Sequence, residues 1–255
     1  MNPTEKTPLT DTDYRVSHIE KGDHYDAALE GSAFDKYMAD WEKIYIPKII
    51  HNLFPTGLNR YLDFACGTGR ITEQIAPLAN HSTAVDISPT MMAVARKKCP
   101  ATRFHLGDIT KEDPDLGQFD LVSSFRFFGN AQDELRDVAL HAITKRLAPN
   151  GRLLINSHRN PRALYALLDR LTGGTSGNMD LHLGKLRILL DRHGLEIESL
   201  QPIGAWMYRS RIMNLTTSDS PHAIRNEHRF GGAAFASIAP NVILVARKLD
   251  SPGTY

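Results

Sequence analysis

Between Tyr61 and Gly69 the chain reads Tyr-Leu-Asp-Phe-Ala-Cys-Gly-Thr-Gly, and no other segment restricts the fold as strongly. A short apolar run carries an acid, Asp63, and the glycines Gly67 and Gly69 lead into a helix-forming segment from Ile71 to Leu78. Together, a strand, a tight glycine turn and a helix start make a cradle. Glycine tolerates positive φ and close backbone approach, and the first turn of a helix leaves N–H groups to offer. Such a cradle suits a nucleotide-like ligand. A dinucleotide fingerprint would place a third glycine three residues after the second. This chain has Thr72 there, and Ala65 where the first loop glycine usually stands.

Strands and helices alternate downstream. The pattern predicts strand one at 60–65, with its helix from about Gly69 to Leu78. Strand two is expected at 82–85, ending in Asp86, before a helix to Lys98 that opens on Ser88 as N-cap and Pro89 at the first helical position. Strand three falls at 102–106 and strand four at 119–123. Asn130 can cap a helix whose apolar face is Leu135, Val138, Ala139, Ala142, Ile143 and Leu147. Pro149-Asn150-Gly151 closes that helix ahead of strand five at 152–157. Helical stretches near 161–171 and 181–193, strand six at 195–202 and a last strand at 241–248 complete the set. This alternation predicts an α/β fold, a parallel sheet with helices on both faces.

Upstream, residues 1–13 are rich in Thr, Pro and Asp and read as a disordered tail, and 14–56 read as an N-terminal helical cap. Phe34, Tyr37, Met38 and Trp41 fall at i, i+3, i+4 and i+7, a stripe expected to pack on the body. Thirty basic residues against 29 acidic give a formal charge of +1 without a dense basic block, which argues against nucleic acid as a partner. Cys66 and Cys99 are too few for a disulfide framework and read as reduced thiols. The first 25 residues lack an apolar signal core and no run of 18 apolar residues follows, so a cytoplasmic protein without a membrane partner is expected.

In open α/β sheets ligands bind beyond the carboxyl ends of the strands. Those ends carry Asp63, then Asp86, whose carboxylate could accept both hydroxyls of a ribose, then Gly107-Asp108-Ile109, an acid beside an apolar contact suited to an adenine. Strand four runs into Phe125-Arg126-Phe127-Phe128-Gly129-Asn130. Each alone is weak, since Asp is common after strands; the ordered set is not.

With Asp63–Gly69, Val85-Asp86-Ile87-Ser88-Pro89-Met91, Gly107–Ile109, Phe119–Ser123 and Leu147–Gly151 in place, the chain resembles the class I S-adenosylmethionine-dependent methyltransferases, closely over about 60–160. The resemblance implies a doubly wound, seven-stranded, mostly parallel Rossmann-like sheet with an antiparallel last strand, formed by 57–255. It implies that Asp63, Ala65, Gly67 and Gly69 hold the methionine portion of the donor and Asp86 its ribose. Ile87, Asp108 and Ile109 would contact the adenine, Met91 and Phe125 would also belong to the cofactor site, and Tyr25 in the cap would reach the carboxylate or sulfonium. No metal is expected, since the histidines show no pair at ligand spacing.

The acceptor side falls to residues after strands four and five. His158 is the candidate general base, because its ordinary pKa suits proton acceptance near neutrality, with Arg126 beside it. Phe127, Asn130 and Arg159 are candidate acceptor contacts. The stretch 203–240 is too long for a hairpin connection and is expected to be a lid, with Trp206, Tyr208 and Arg209 facing the acceptor; a contact between two copies of the chain is its alternative use. The expected activity is methyl transfer to an O or N atom of a small molecule, such as a specialised metabolite or sugar, leaving S-adenosylhomocysteine. A nicotinamide-dependent oxidoreductase and a non-catalytic scaffold of the same fold are the alternatives.

Overall fold

The computed structural model describes residues 31–158, 160–171, 181–207 and 217–249. Helix α1 (Ala33–Leu53) comes first, its N-terminus capped by Ser32, whose hydroxyl accepts the Asp35 N–H at 3.2 Å. Then follow β1 (Leu58–Phe64), α2 (Thr72–Ile75), β2 (Ala79–Asp86), α3 (Pro89–Lys98), β3 (Arg103–Leu106) and β4 (Phe119–Ser124). The second half comprises α4 (Asp133–Arg146), β5 (Leu147–His158), α5 (Leu164–Leu171), α6 (Leu183–Arg192), β6 (Leu195–Ile203), α7 (Pro221–Phe230) and β7 (Asn241–Lys248).

The seven strands form one sheet in the order β3-β2-β1-β4-β5-β7-β6. Pairing is parallel except at β7, which runs antiparallel to both β5 and β6. The chain therefore leaves β1 toward β2 on one side and returns to β4 on the other. The order reverses between β1 and β4, so a crevice opens beyond their carboxyl ends. Register matters here: Asp63 pairs with Ser123 across β1 and β4, which sets the two side chains next to each other.

Buried residues alternate between the faces with period two, as a sheet covered on both sides requires. In β5 and β7, Leu153, Ile155, Leu244 and Ala246 join one core, while Leu154, Ile243 and Val245 join the other. The first core lies under α4 and α6. The second lies under α1, where Tyr37, Met38 and Trp41 are buried and Phe34 is partly so. The aromatic stripe is thus sheet packing, with Trp41 and Tyr45 stacked at 5.4 Å.

Four local expectations are corrected. After the glycines the α-helix lasts only from Thr72 to Ile75 and tightens to a 3₁₀ turn, Ala76–Leu78, where Pro77 supplies no N–H. Asn130 does not cap α4, which starts at Asp133 behind Gln132; its amide instead donates to the Arg126 carbonyl at 2.6 Å. Strand β5 begins at Leu147, because the Pro149–Gly151 segment joins the strand with a register shift opposite Phe119 and Leu121 and with Asn150 at φ +56°. The 203–240 stretch, read from the sequence as a long loop, contains α7 and a 3₁₀ turn at Ala233–Phe235.

Helix α7 is anchored to α1 by a buried acid. Glu227 Oε1 accepts from the Tyr37 hydroxyl at 2.8 Å, the Gly204 N–H at 2.9 Å and the Trp206 indole N–H at 3.0 Å. Burial pushes the Glu227 carboxyl up and the Tyr37 hydroxyl up with it. Ser218 adds a second tie, donating to Asp40 at 2.7 Å. Glu227→Ala leaves two buried donors and one partly buried donor without their acceptor and is expected to lower unfolding free energy by at least about 2 kcal/mol, against about 1 kcal/mol for Tyr37→Phe. Urea unfolding of the two variants measures both; equal, small losses would show that Glu227 is not the anchor.

Candidate functional site

The glycine turn is built by backbone geometry. Gly67 and Gly69 have φ +54° and +80°, the left-handed region that glycine enters freely. Gly69 is needed for space as well, since a Cβ there would lie 3.0 Å from the Ala95 Cβ and 3.1 Å from the Ala95 Cα of α3. Ala65 also adopts φ +55°, which explains why a glycine commonly stands at such a position; the methyl group costs about 1 kcal/mol of strain.

Two carboxylates hold this turn. Asp86, at the end of β2, accepts the Gly67 N–H at 2.7 Å on one oxygen and the Ser88 N–H at 2.8 Å on the other. It therefore joins the turn to the start of α3, which Ser88 caps as expected by accepting the Met91 N–H at 3.3 Å. Asp63 is 1% exposed; its two oxygens accept from Ser123 at 2.7 Å and from Thr72 at 2.6 Å. Because Ser123 spends its only proton on Asp63, the Tyr61 hydroxyl 2.7 Å away must be the donor to Ser123. Thr72, standing where a dinucleotide site has its third glycine, is thus a structural partner of Asp63.

These residues line a cleft with about 940 Å³ of empty space, open solvent at its mouth included. Asp63, Ala65, Gly67, Asp86, Ile87, Met91, Asp108, Ile109, Phe125, Arg126 and Phe127 all contribute to its wall. Gly69 shapes the turn from behind. Phe127 meets Phe64 edge-on at 5.1 Å and keeps one wall apolar. Asp108 closes its own turn, accepting the Thr110 N–H at 3.0 Å and hydroxyl at 2.6 Å.

Arg126 sits at φ +59°, a strained setting for a side chain. Its N–H donates to Asn156 at 2.6 Å and its Nη1 lies 2.9 Å from Asp35 Oδ1 on α1. Arg70, which also lines the cleft, pairs with Glu42 of the same helix at 2.5 Å. Neither Arg70 nor these two acids was identified from the sequence. A signal did exist for Glu42, which stands between Met38 and Ile46 on one i, i+4, i+8 row of an otherwise apolar face.

Other expected site residues are not brought to the cleft. His158 does not line it; the ring lies over Gly129, where an added Cβ would come within 2.7 Å of Cε1. Glycine at 129 is what leaves room for that ring. Asn130 closes the Arg126 turn, and Trp206 packs edge-on to His222 at 5.3 Å while bonding Glu227. Tyr25, Arg159, Tyr208 and Arg209 lie outside the described residues. Among the described residues no group of His, Cys, Asp or Glu could hold a metal ion, and no helix is long and apolar enough to cross a membrane.

Burial raises the Asp63 carboxyl to about 6, helped by the nearby Asp86 charge and opposed by Thr72, Ser123 and Arg70. The native state therefore holds a proton that the unfolded chain gives up near its ordinary value of about 3.9. Stability from this group is full below that value and is lost as pH rises through about 6. Relative to wild type, Asp63→Asn is expected to gain up to about 3 kcal/mol between pH 4 and pH 7. Denaturant midpoints at the two pH values decide, and a constant difference would contradict the buried, proton-holding carboxyl.

Known proteins were compared with the chain. Residues 62–151 match the family model described as "Methyltransferase domain". The chain is 31% identical over 156 residues to the magnesium-protoporphyrin O-methyltransferase of Rhodobacter capsulatus, covering 52% of this chain and 65% of that protein. A ubiquinone biosynthesis O-methyltransferase of Xanthomonas euvesicatoria is 25% identical over 218 residues, covering 72% and 90%. With seven of the curated relatives the chain matches only 46% to 65% of their length. In fold it is similar to magnesium protoporphyrin IX methyltransferase from Synechocystis with bound S-adenosylhomocysteine, at a TM-score of 0.62, 15% identity and coverage of 92% and 97%. The N-methyltransferase NodS of Bradyrhizobium japonicum, also bound to S-adenosylhomocysteine, gives 0.57, 16% identity and coverage of 92% and 96%.

Proposed function

We propose that this chain, whose residues 62–151 match a methyltransferase domain, is of the class I, S-adenosylmethionine-dependent type and transfers a methyl group to an oxygen or nitrogen of a small molecule. The observation that carries the reading is the cleft itself. It opens where the strand order reverses and combines a glycine turn, three carboxylates and an apolar wall. The donor fits these residues: Gly67 leaves a surface that only the Met91 sulfur approaches, at 3.6 Å from an added Cβ, and the acids favour a cation. When bound, the donor supplies an electrophilic methyl group on a sulfonium.

Each residue then has a task. Asp86 stands on the wall with its carboxylate held by two backbone N–H groups, oriented to accept ribose hydroxyls. Ile87, Met91 and Ile109 offer apolar contact to an adenine, and Asp108 an acceptor for its amino group. Asp63 and the Gly67 turn face the methionine portion. Phe125 and Phe127 exclude water from the space beyond it, where an acceptor must come within about 3 Å of the methyl. Oxygen is the acceptor atom we favour, because the curated relatives of Rhodobacter and Xanthomonas are named O-methyltransferases. His158 is not assigned the proton-accepting step, since its ring packs on Gly129 outside the wall.

Calorimetry tests the reading: S-adenosylhomocysteine is expected to bind the wild type and NAD is not. Asp86→Asn, which removes the charge and replaces one of the two oxygens that accept Gly67 and Ser88 by a donor, should weaken S-adenosylhomocysteine at least about tenfold through both the ribose contact and the turn. Binding of NAD in preference, or of neither, would overturn the proposal. His158→Gln is expected to change kcat less than about threefold once an acceptor is in hand, whereas a base commonly contributes about a hundredfold or more.

A further inference from the structure

Two arginines stand in the wall of the cleft, Arg70 after the glycines and Arg126 at the end of β4. Two guanidinium charges beside three carboxylates would nearly balance the wall and would oppose a cation placed among them. Both, however, are paired with acids of one helix. Arg70 Nη1 lies 2.5 Å from Glu42 Oε2, and Arg126 Nη1 lies 2.9 Å from Asp35 Oδ1. Asp35 and Glu42 stand at i and i+7 of α1, on one face two turns apart.

Glu42 is 0% exposed, and its other oxygen accepts from the amides of Asn241 at 2.9 Å and Asn156 at 3.3 Å. A carboxylate in that position carries a large desolvation cost. The two asparagine amides do not require it, because a neutral glutamine offers the same carbonyl acceptor. What only the carboxylate provides is negative charge against Arg70. That arginine acts on the floor of the cleft, for its charge draws the Asp63 carboxyl downward against the effect of burial.

Resting on the methyl-transfer reading above, we infer that Asp35 and Glu42 are positioning residues that mask Arg126 and Arg70, so that the cleft's own carboxylates set its field and the arginines do not oppose the positively charged sulfur of the donor relative to the neutral sulfur of the product. The donor and product differ by one positive charge at sulfur. Their affinity ratio therefore reads the field at that atom and cancels general damage to the site.

Calorimetric Kd values for S-adenosylmethionine and S-adenosylhomocysteine are to be measured on four variants and the wild type. Glu42→Gln is expected to raise the ratio Kd(donor)/Kd(product) about tenfold, and Asp35→Asn to raise it by a smaller factor. Arg70→Met should lower the ratio, and Glu42→Gln combined with Arg70→Met should return it close to the wild-type value. A purely structural role predicts equal weakening of both ligands, and an unchanged ratio in Glu42→Gln and Asp35→Asn overturns the inference while leaving methyl transfer standing. Should Glu42→Gln not fold, Asp35→Asn and Arg70→Met decide by the same ratio. Wild-type protein that binds neither ligand overturns the methyl-transfer reading and this one with it.

Discussion

The carboxylate of Asp63 joins three elements at the place where the strand order of the sheet reverses. It sits at the end of β1, takes a hydroxyl from Ser123 on β4 and another from Thr72 on α2. Those bonds hold the glycine turn beyond two paired strands whose following connections leave in opposite directions at the point of order reversal. Asp86 continues the arrangement by gripping the turn from the β2 side. A buried acid is costly unless its oxygens are satisfied, and here both are. The same atoms that fix the backbone also leave negative charge facing the cleft. Structural support and electrostatic character arise from one set of groups, which makes the cleft rigid as well as acidic.

Helix α1 makes the second contribution. Its aromatic face covers the sheet, which any amphipathic helix could do. Its polar exceptions do more. Glu42 reaches through the apolar layer to Arg70 and to the asparagines of β5 and β7, and Asn156 in turn accepts the N–H of the strained Arg126 turn. Tyr37 meets Glu227, which brings α7 and the end of β6 against the same helix. The helix is consequently tied to two residues of the cleft wall, Arg70 and Arg126, without lining the cleft itself. A helix bound by apolar packing alone could slide, whereas these directional bonds select one position.

Elements whose signals are local were legible in the sequence. Ser88 and Pro89 announce α3, the strand ends carry their acids in order, and the last strand runs over Asn241–Lys248 as its apolar run predicts. Errors cluster where distant residues compete for a local group. Asn130 has the chemistry of a helix cap, but the Arg126 carbonyl takes its amide and α4 starts later. His158 has the chemistry of a base, but the open space over Gly129 takes its ring. Side-chain chemistry limits what a residue can do without choosing among partners.

The sequence by itself determined the alternating architecture, the glycine turn and the acids that follow the strands. Each depends on contacts within a few residues: φ freedom at Gly67 and Gly69, periodicity, and turn chemistry after a strand. Only the tertiary structure decided the sign of charge that the cleft presents. Arg70 and Arg126 are cations in any reading of the chain. Whether they act as such depends on Glu42 and Asp35, which lie 28 and 91 residues away in sequence and meet them only because α1 folds across the ends of β1 and β4. Electrostatic fields are sums over space, and distance in space is what a linear sequence does not contain.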